Sequence, residues 1–143
     1  MNYIGSARSN YFAVKDLEAF KAFLAQFGDV ELIEGDGDRK GLVGFVVGRN
    51  SDSGCLPDRK PVRGEGGEDC GADEEDCDFI AEVAPHLADG QVGVVIEIGY
   101  EGLRYLAGCA TAFNNQGMTR RVATGDIYEL AKQLGPSVTV AEC

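Results

Sequence analysis

Histidine is nearly absent from this chain, because His86 is the only one among its 143 residues. A mechanism that needs two imidazole groups is therefore excluded. The sequence also lacks any apolar run near the roughly 18 residues of a membrane-spanning helix, and its first residues lack the apolar centre of a signal peptide. These two absences predict a protein that stays in the cytoplasm.

Basic residues are scarce as well. Lys and Arg number 13 against 24 Asp and Glu, which gives a formal net charge of −11 at pH 7. Such a chain is repelled by phosphate backbones and by anionic lipid surfaces. We therefore expect no direct binding to nucleic acid or membrane and a preference for basic protein partners.

The five cysteines lack the spacing of metal ligands. An odd number of cysteines without an export signal favours reduced thiols over a disulfide framework. Cys55, Cys70 and Cys77 are separated by fourteen and six residues, whereas zinc knuckles use Cys-x2–4-Cys pairs. The sequence therefore predicts neither a bound metal nor a cofactor.

The segment after residue 33 lacks the residues that a calcium or nucleotide loop needs. Glu34, Asp36 and Asp38 alternate as calcium ligands do, but Arg39 stands where an EF-hand has glycine and Phe45 where it has glutamate. The nearby glycines come without the lysine and hydroxyl residue of a phosphate-binding loop. This segment is interpreted as a hairpin turn.

The remaining pattern predicts one domain over residues 1–143, with 44% hydrophobic residues to form its core. Asp16 is the expected N-cap of the first helix, and Gly28 is expected to end that helix in a left-handed conformation. These elements predict the α+β class, with an antiparallel or mixed sheet and helices on one of its faces. Within that class we expect a ferredoxin-like core with additional strands and a long acidic loop. The expected strands cover residues 7–14, 30–33, 42–47, 92–98, 103–113 and 118–123, and the expected helices begin near residues 17, 79 and 127.

Two strands have the clearest alternation. Val92, Val94, Ile96 and Ile98 fall on one face of the first, and the odd-numbered residues from 103 to 113 fall on one face of the next. After a turn and a third strand, the final helix carries an apolar stripe at residues 127, 130 and 134.

Most of the excess negative charge falls in one insertion at residues 50–77, here called the acidic segment. Ten acids face three bases between residues 50 and 78, a balance of −7. Because large apolar side chains are few there, we expect a long surface loop that is mobile or only loosely fixed. Its glycines oppose a rigid mimic of duplex DNA and favour flexible contact with a basic protein groove. The predicted partner-binding acids are Glu68, Asp69, Asp73, Glu74, Glu75 and Asp76.

A second candidate contact is a polar cluster in the first expected strand, formed by Arg8, Ser9, Asn10 and Tyr11. We expect Arg8 and Tyr11 to anchor a partner, because Arg and Tyr are enriched at the energetic centres of interfaces. Ordinary solvated sheet surface with an edge-protecting charge is the alternative interpretation. The cluster is expected to join three arginines on outward positions of later strands, namely Arg104, Arg120 and Arg121.

Both ends of the chain resemble a known group of proteins. The residues that carry the resemblance are 7–12, 14–16 with Phe20, 103–105 and 126–132. They are similar to those of uncharacterised small acidic proteins from bacterial phages and plasmids. The genes of that group often lie among counter-defence genes, so the resemblance implies an inhibitor of a host nuclease system, of the anti-CRISPR kind. It assigns no role to any single residue.

Three functions are open at this point. The first is a non-enzymatic inhibitor from a mobile element that blocks a basic, nucleic-acid-handling host complex, with the acidic segment steering the encounter. The second is an enzyme that acts on a small molecule in a pocket near Arg8, Tyr11 and His86. The third is a housekeeping structural partner protein. A pocket with convergent polar groups would favour the enzyme, and a flat acidic face the binding protein.

Overall fold

The computed structural model describes residues 4–48, 56–57, 59–61, 74–101 and 105–139. These residues form an α+β fold in which most strands belong to one sheet. In chain order the elements are β1 (Ile4–Ser9), α1 (Leu17–Leu24), β2 (Val30–Glu34), β3 (Val43–Val47), β4 (Arg59–Pro61), β5 (Glu74–Asp76), α2 (Phe79–Val83), β6 (Val92–Glu101), β7 (Tyr105–Asn114), β8 (Thr119–Ala123) and α3 (Ile127–Ala131).

The main sheet has six strands in the order β2-β3-β1-β6-β7-β8. All of its strand pairs are antiparallel. The longest pair joins β6 to β7 over ten residues each, from Val92 opposite Asn114 to Glu101 opposite Tyr105. The predicted α+β class with an antiparallel sheet is therefore confirmed.

Helix α1 begins as predicted and ends differently. The Asp16 carboxylate accepts a hydrogen bond from the backbone N–H of Ala19 at 3.2 Å, which satisfies one of the free N–H groups of the first turn. Phe20 and Leu24 form the buried side of this helix. The expected left-handed ending at Gly28 is wrong, since the helix stops at Leu24 and Gly28 has no positive φ.

Helix α2 is short, and Pro85 explains where it ends. Asp78 caps its start by accepting a hydrogen bond from the N–H of Ala81 at 3.2 Å. The α-helix ends at Val83, and Ala84–His86 continues as a single 3-10 turn that contains Pro85. Proline lacks the N–H that a further α-helical turn would need.

Helices α1 and α2 pack on one side of the main sheet, here called the covered face. Their buried residues meet the inward side chains of β1, β2, β3, β6 and β7 in a single apolar core. Its centre is aromatic, since the Phe79 ring contacts the rings of Phe27 and Phe45 edge-on at 5.2 and 5.3 Å. Edge-to-face pairs of this kind add about 0.5–1.5 kcal/mol each beyond the burial of their surface.

Strand β1 ends five residues earlier than the predicted 7–14, because a bulge interrupts it. Arg8 lies opposite Val46 and Phe12 opposite Val43, so the β1 side has one residue more than the β3 side. An extra residue reverses the side to which the following residues point. Phe12 is fully buried on the covered face as a result. The poor alternation of this segment in the sequence has the same cause.

Within the acidic segment, β4 and β5 form a separate two-stranded antiparallel sheet that pairs Arg59–Pro61 with Glu74–Asp76. These six residues differ from the expected loop because their backbones pair with each other. Glu68, Asp69 and Asp73 lie outside the described residues. Glu74, Glu75 and Asp76 make up β5 itself.

Candidate functional site

The opposite side of the main sheet, here called the open face, is apolar although neither α1 nor α2 covers it. Val92, Val94, Ile96 and Ile98 share one side of β6 as predicted, and that side is the open face. The exposed fractions of Ile96 and Ile98 are 51% and 57%, and those of Leu106 and Val122 are 67% and 64%. Contiguous exposed apolar side chains on a folded domain mark interaction surfaces.

At one end of the open face is a cleft of about 400 Å³, here called the arginine cleft. Arg39 places its guanidinium carbon 5.3 Å from the centre of the Tyr11 ring, within the range of a cation–π contact. None of the ion pairs within the described residues uses Arg8 or Arg39. The cleft is lined by Arg8, Ser9, Asn10, Tyr11, Arg39, Leu42, Val94 and Ile96.

The bulge after β1 brings Arg8 and Tyr11 together in this cleft. Without the extra residue, two positions three apart on a strand would point to opposite sides. Gly44 makes the bulge possible, because a β-carbon there would come within 2.5 Å of the Asn10 carbonyl oxygen and 2.7 Å of the Ser9 hydroxyl. The predicted partner-binding residues Arg8 and Tyr11 therefore line the same cavity.

Ser9 and Asn10, the other two members of the predicted cluster, hold the sheet together. The buried Ser9 hydroxyl accepts a hydrogen bond from the N–H of Phe45 at 2.8 Å in place of a backbone carbonyl. The Asn10 amide donates to the Val92 carbonyl at 3.0 Å and accepts from the Val94 N–H at 2.7 Å. These bonds fix the end of β1 against β3 and β6 and so position the cleft.

The three arginines expected to join the cluster do not share one position. Arg120 faces the open side, since it pairs with Ala112, and Arg121 pairs with Thr111 and faces the covered side. Both side chains are exposed, as the predicted outward positions require. They do not form one patch with the cluster, because neighbouring residues of a strand alternate and Arg121 lies on the other side of the sheet. Arg104 lies outside the described residues.

His86 packs among aromatic side chains of the helical layer and does not line the arginine cleft. Its ring lies 5.6 Å from that of Phe20 and 5.0 Å from that of Phe23. Burial lowers the pKa of His86 below its ordinary value, and the nearby Asp16 carboxylate partly opposes that shift. The structure thus separates His86 from Arg8 and Tyr11.

Sequence reasoning missed a polar cavity of about 410 Å³ on the covered face, where α2 leaves β7 and β8 bare. Glu97 and Arg121 line it, and Glu97 accepts a hydrogen bond from the Cys109 thiol at 3.2 Å. A hydrogen bond with Cys109 also raises the pKa of Arg121. The signal was present in the alternation, since Glu97 falls between Ile96 and Ile98 and must point away from them.

Comparisons with known proteins identify no relative of this chain. No protein-family model matches the chain, and no curated protein or solved structure is significantly similar to it. Among the described residues, no group of three or more His, Cys, Asp and Glu side chains is arranged to hold a metal ion. In the same part of the chain, no helix has the length and apolar character to cross a membrane.

Proposed function

We propose that the protein is a non-enzymatic binding protein that anchors a protein partner in the arginine cleft. The observation that carries this proposal is the cleft itself, where Arg8, Arg39 and Tyr11 converge beside exposed apolar strands. Arginine and tyrosine are enriched at interface centres because each combines apolar contact area with hydrogen bonding. A carboxylate or a backbone carbonyl of the partner suits the two guanidinium groups.

The charge of the whole chain supports a partner that is basic overall. A net charge of −11, with −7 between residues 50 and 78, attracts a basic surface over distances of about a Debye length, ~10 Å at 0.1 M salt. In this proposal the acidic segment steers the encounter, and the arginine cleft makes the lasting contact. The partner class is a basic, nucleic-acid-handling host complex, and the protein is an inhibitor encoded by a mobile element.

The topology supports a ferredoxin-like core as the scaffold of this site. Elements β1, α1, β2, β3, α2 and β6 follow the β-α-β-β-α-β succession of that motif. Their strands are adjacent in the sheet in the order β2-β3-β1-β6, and β7 and β8 extend it. The arginine cleft then lies at the end of a central strand, where the sheet holds it rigidly.

Affinity capture with matched variants tests the proposal. The wild-type protein and the variants Tyr11→Ala and Arg39→Ala serve as bait in a bacterial lysate, with Lys40→Ala as the control. Lys40 is an exposed cation next to Arg39 that does not line the cleft. The expected result is a partner that the wild type and Lys40→Ala retain and that both cleft variants lose. Equal capture by all four proteins would refute the role of the cleft.

Binding kinetics on the captured partner separate steering from anchoring. Neutralising Glu68, Asp69, Asp73, Glu74, Glu75 and Asp76 to Gln or Asn should slow association at low salt, as high salt does for the wild type. Changing Arg8 or Tyr11 to Ala should instead raise the dissociation rate, because anchor residues act after encounter. An association rate that is indifferent to salt and to the six neutralisations would contradict the steering role.

A further inference from the structure

The polar cavity on the covered face, here called the Glu97 cavity, has the size of a small-molecule site. Its volume is about 410 Å³, and ligand pockets in proteins span about 300–1,000 Å³. Strands β6, β7 and β8 contribute Glu97, Thr111 and Arg121 to its lining, and α2 contributes Ile80 and Ala81. It lies on the opposite side of the sheet from the arginine cleft, so the two sites are separate.

The Glu97 cavity holds two opposite charges that do not pair with each other. Glu97 and Arg121 both line it, yet none of the ion pairs within the described residues joins them. The strand register explains this separation. Glu97 lies opposite Cys109 on β7, whereas Arg121 lies opposite Thr111, two residues further along that strand. The Cys109 thiol donates a hydrogen bond to the Glu97 carboxylate at 3.2 Å and lies near the Arg121 guanidinium. A ligand therefore meets an acid and a base at separate positions.

Thr111 adds a buried hydroxyl group that lacks a partner in the described chain. Its exposed fraction is 8%, and no described residue forms a hydrogen bond with its side chain. Ser9 is buried as well, but its hydroxyl bonds the Phe45 N–H at 2.8 Å. Buried polar groups in folded proteins are almost always hydrogen-bonded, since an unpaired one lowers stability. Because Thr111 lines the Glu97 cavity, a molecule bound there supplies such a partner.

Other parts of the cavity wall are apolar. Phe113 on β7 and Ala84 in the turn after α2 are each 2% exposed, and Ile80 of α2 is half-buried. A wall of this kind favours a short hydrocarbon group and disfavours a further charged group, which would lose its water without gaining a partner. The cavity thus combines an acid, a base, a hydroxyl and a small apolar surface.

We propose that the Glu97 cavity binds a free α-amino acid with a small aliphatic side chain. The carboxylate of the amino acid pairs with Arg121, its ammonium group pairs with Glu97, and its side chain packs on the apolar wall. The Thr111 hydroxyl bonds the same molecule. Glu97 and Asp78, which also lines the cavity, repel a ligand with only negative charge, and Arg121 repels one with only positive charge. This site goes beyond the protein partner that we assign to the arginine cleft.

NMR titration of the full ¹⁵N-labelled chain tests the ligand class. Alanine, valine and leucine are the probes, and two compounds with the carbon skeleton of valine are the matched controls. Of these, 3-methylbutanoate lacks the ammonium group and 2-methylpropylamine lacks the carboxylate. At least one of the three amino acids should cause saturable shifts around Thr111. Each control should bind about tenfold more weakly than valine or worse, because each loses a charge-assisted hydrogen bond. Failure of all three amino acids to bind, or a control that binds as tightly as valine, would overturn the proposal.

Two charge-neutralising variants test the residues that hold the ligand. Arg121→Gln and Glu97→Gln should each weaken amino-acid binding about tenfold or more. Arg120→Gln is the matched control, because Arg120 is the neighbouring residue of β8 and faces the open side of the sheet. Its affinity for the amino acid should equal that of the wild type. Equal losses in all three variants, or no loss in the first two, would contradict the assignment.

Thr111→Val separates a ligand-binding role of the hydroxyl from a role in folding. Valine keeps the shape of threonine and removes the unpaired polar group, so the melting temperature should stay the same or rise. Amino-acid binding should nevertheless weaken. A variant that melts at a lower temperature and binds the amino acid as the wild type does would show that the hydroxyl serves folding instead. None of these outcomes depends on the captured partner.

Discussion

The two faces of the main sheet are both apolar, yet the described residues bury only one of them. On the covered face, Phe12, Phe20 and Phe45 are inaccessible to solvent beneath α1 and α2. On the open face, Ile96 and Ile98 stand on the longest strand pair and remain about half exposed. Removal of apolar surface from water contributes roughly 25 cal/mol per Å², so covering the open face would release free energy that folding has not used.

Apolar alternation therefore predicts a strand, but it does not predict which side of the strand faces the core. Val92, Val94, Ile96 and Ile98 are a stronger apolar pattern than the buried side of the same strand, which includes Gly93 and Val95. The covered face takes its apolar character from β3 and the helices instead. One face therefore supports the fold, and we assign the other to partners.

The largest expected effect is on the covered face. Phe45→Ala removes a fully buried ring that contacts Phe79, and the free energy of unfolding should fall by about 3–5 kcal/mol. Ile98→Ala on the open face should change it by less than about 0.5 kcal/mol at low protein concentration. Urea unfolding of both variants measures the contrast, and comparable losses would mean that the open face is also buried.

Glycine positions give the next largest contrast. A β-carbon at Gly93 would collide with the ring of Phe113, which is buried on the covered face, so Gly93→Ala should cost about 1–3 kcal/mol. At Gly28 a β-carbon meets nothing within 4 Å and φ is not positive, so Gly28→Ala is the matched control. Thermal melts of the two variants compare them, and equal melting temperatures would refute the close packing at Gly93.

Much of this fold follows from local sequence signals. Asp16 and Asp78 cap their helices because short carboxylates satisfy free N–H groups there, and Pro85 ends α2 because it has no N–H to donate. The bulge after β1 could not be predicted from local sequence signals. It depends on Gly44, a residue 34 positions away from Asn10 in sequence that leaves room for the displaced backbone.

The candidate site was predictable in part for the same reason. Arg8 and Tyr11 stand out in the sequence, since Arg and Tyr are enriched at the energetic centres of interfaces. Arg39 was assigned to a turn, and only the tertiary fold brings it over the Tyr11 ring. The Glu97 cavity was missed because its residues come from α2, β6, β7 and β8, which no short motif connects.

The smallest expected effect concerns pH. Burial lowers the pKa of His86 in the folded protein. When the pH falls below about 6.5, the ordinary pKa of histidine, the unfolded chain therefore binds a proton more readily than the folded protein does. The stability that this difference provides is complete above that pH and is lost as the pH falls. His86→Phe keeps a ring beside Phe20 and Phe23 and should remove this part of the decline. Unfolding curves at several pH values measure it, and identical slopes for both proteins would contradict the prediction.

The central claim is that the covered face serves folding and the open face serves association, and methyl NMR of the wild type tests it most directly. Spectra recorded without and then with the captured partner report each face separately. The account predicts shifts at Ile96, Ile98 and Leu106 and constant positions for Val83 and Leu87, which are fully buried on the other side. Open-face methyls that stay unchanged when the partner binds, or shifts centred on Val83 and Leu87, would contradict it.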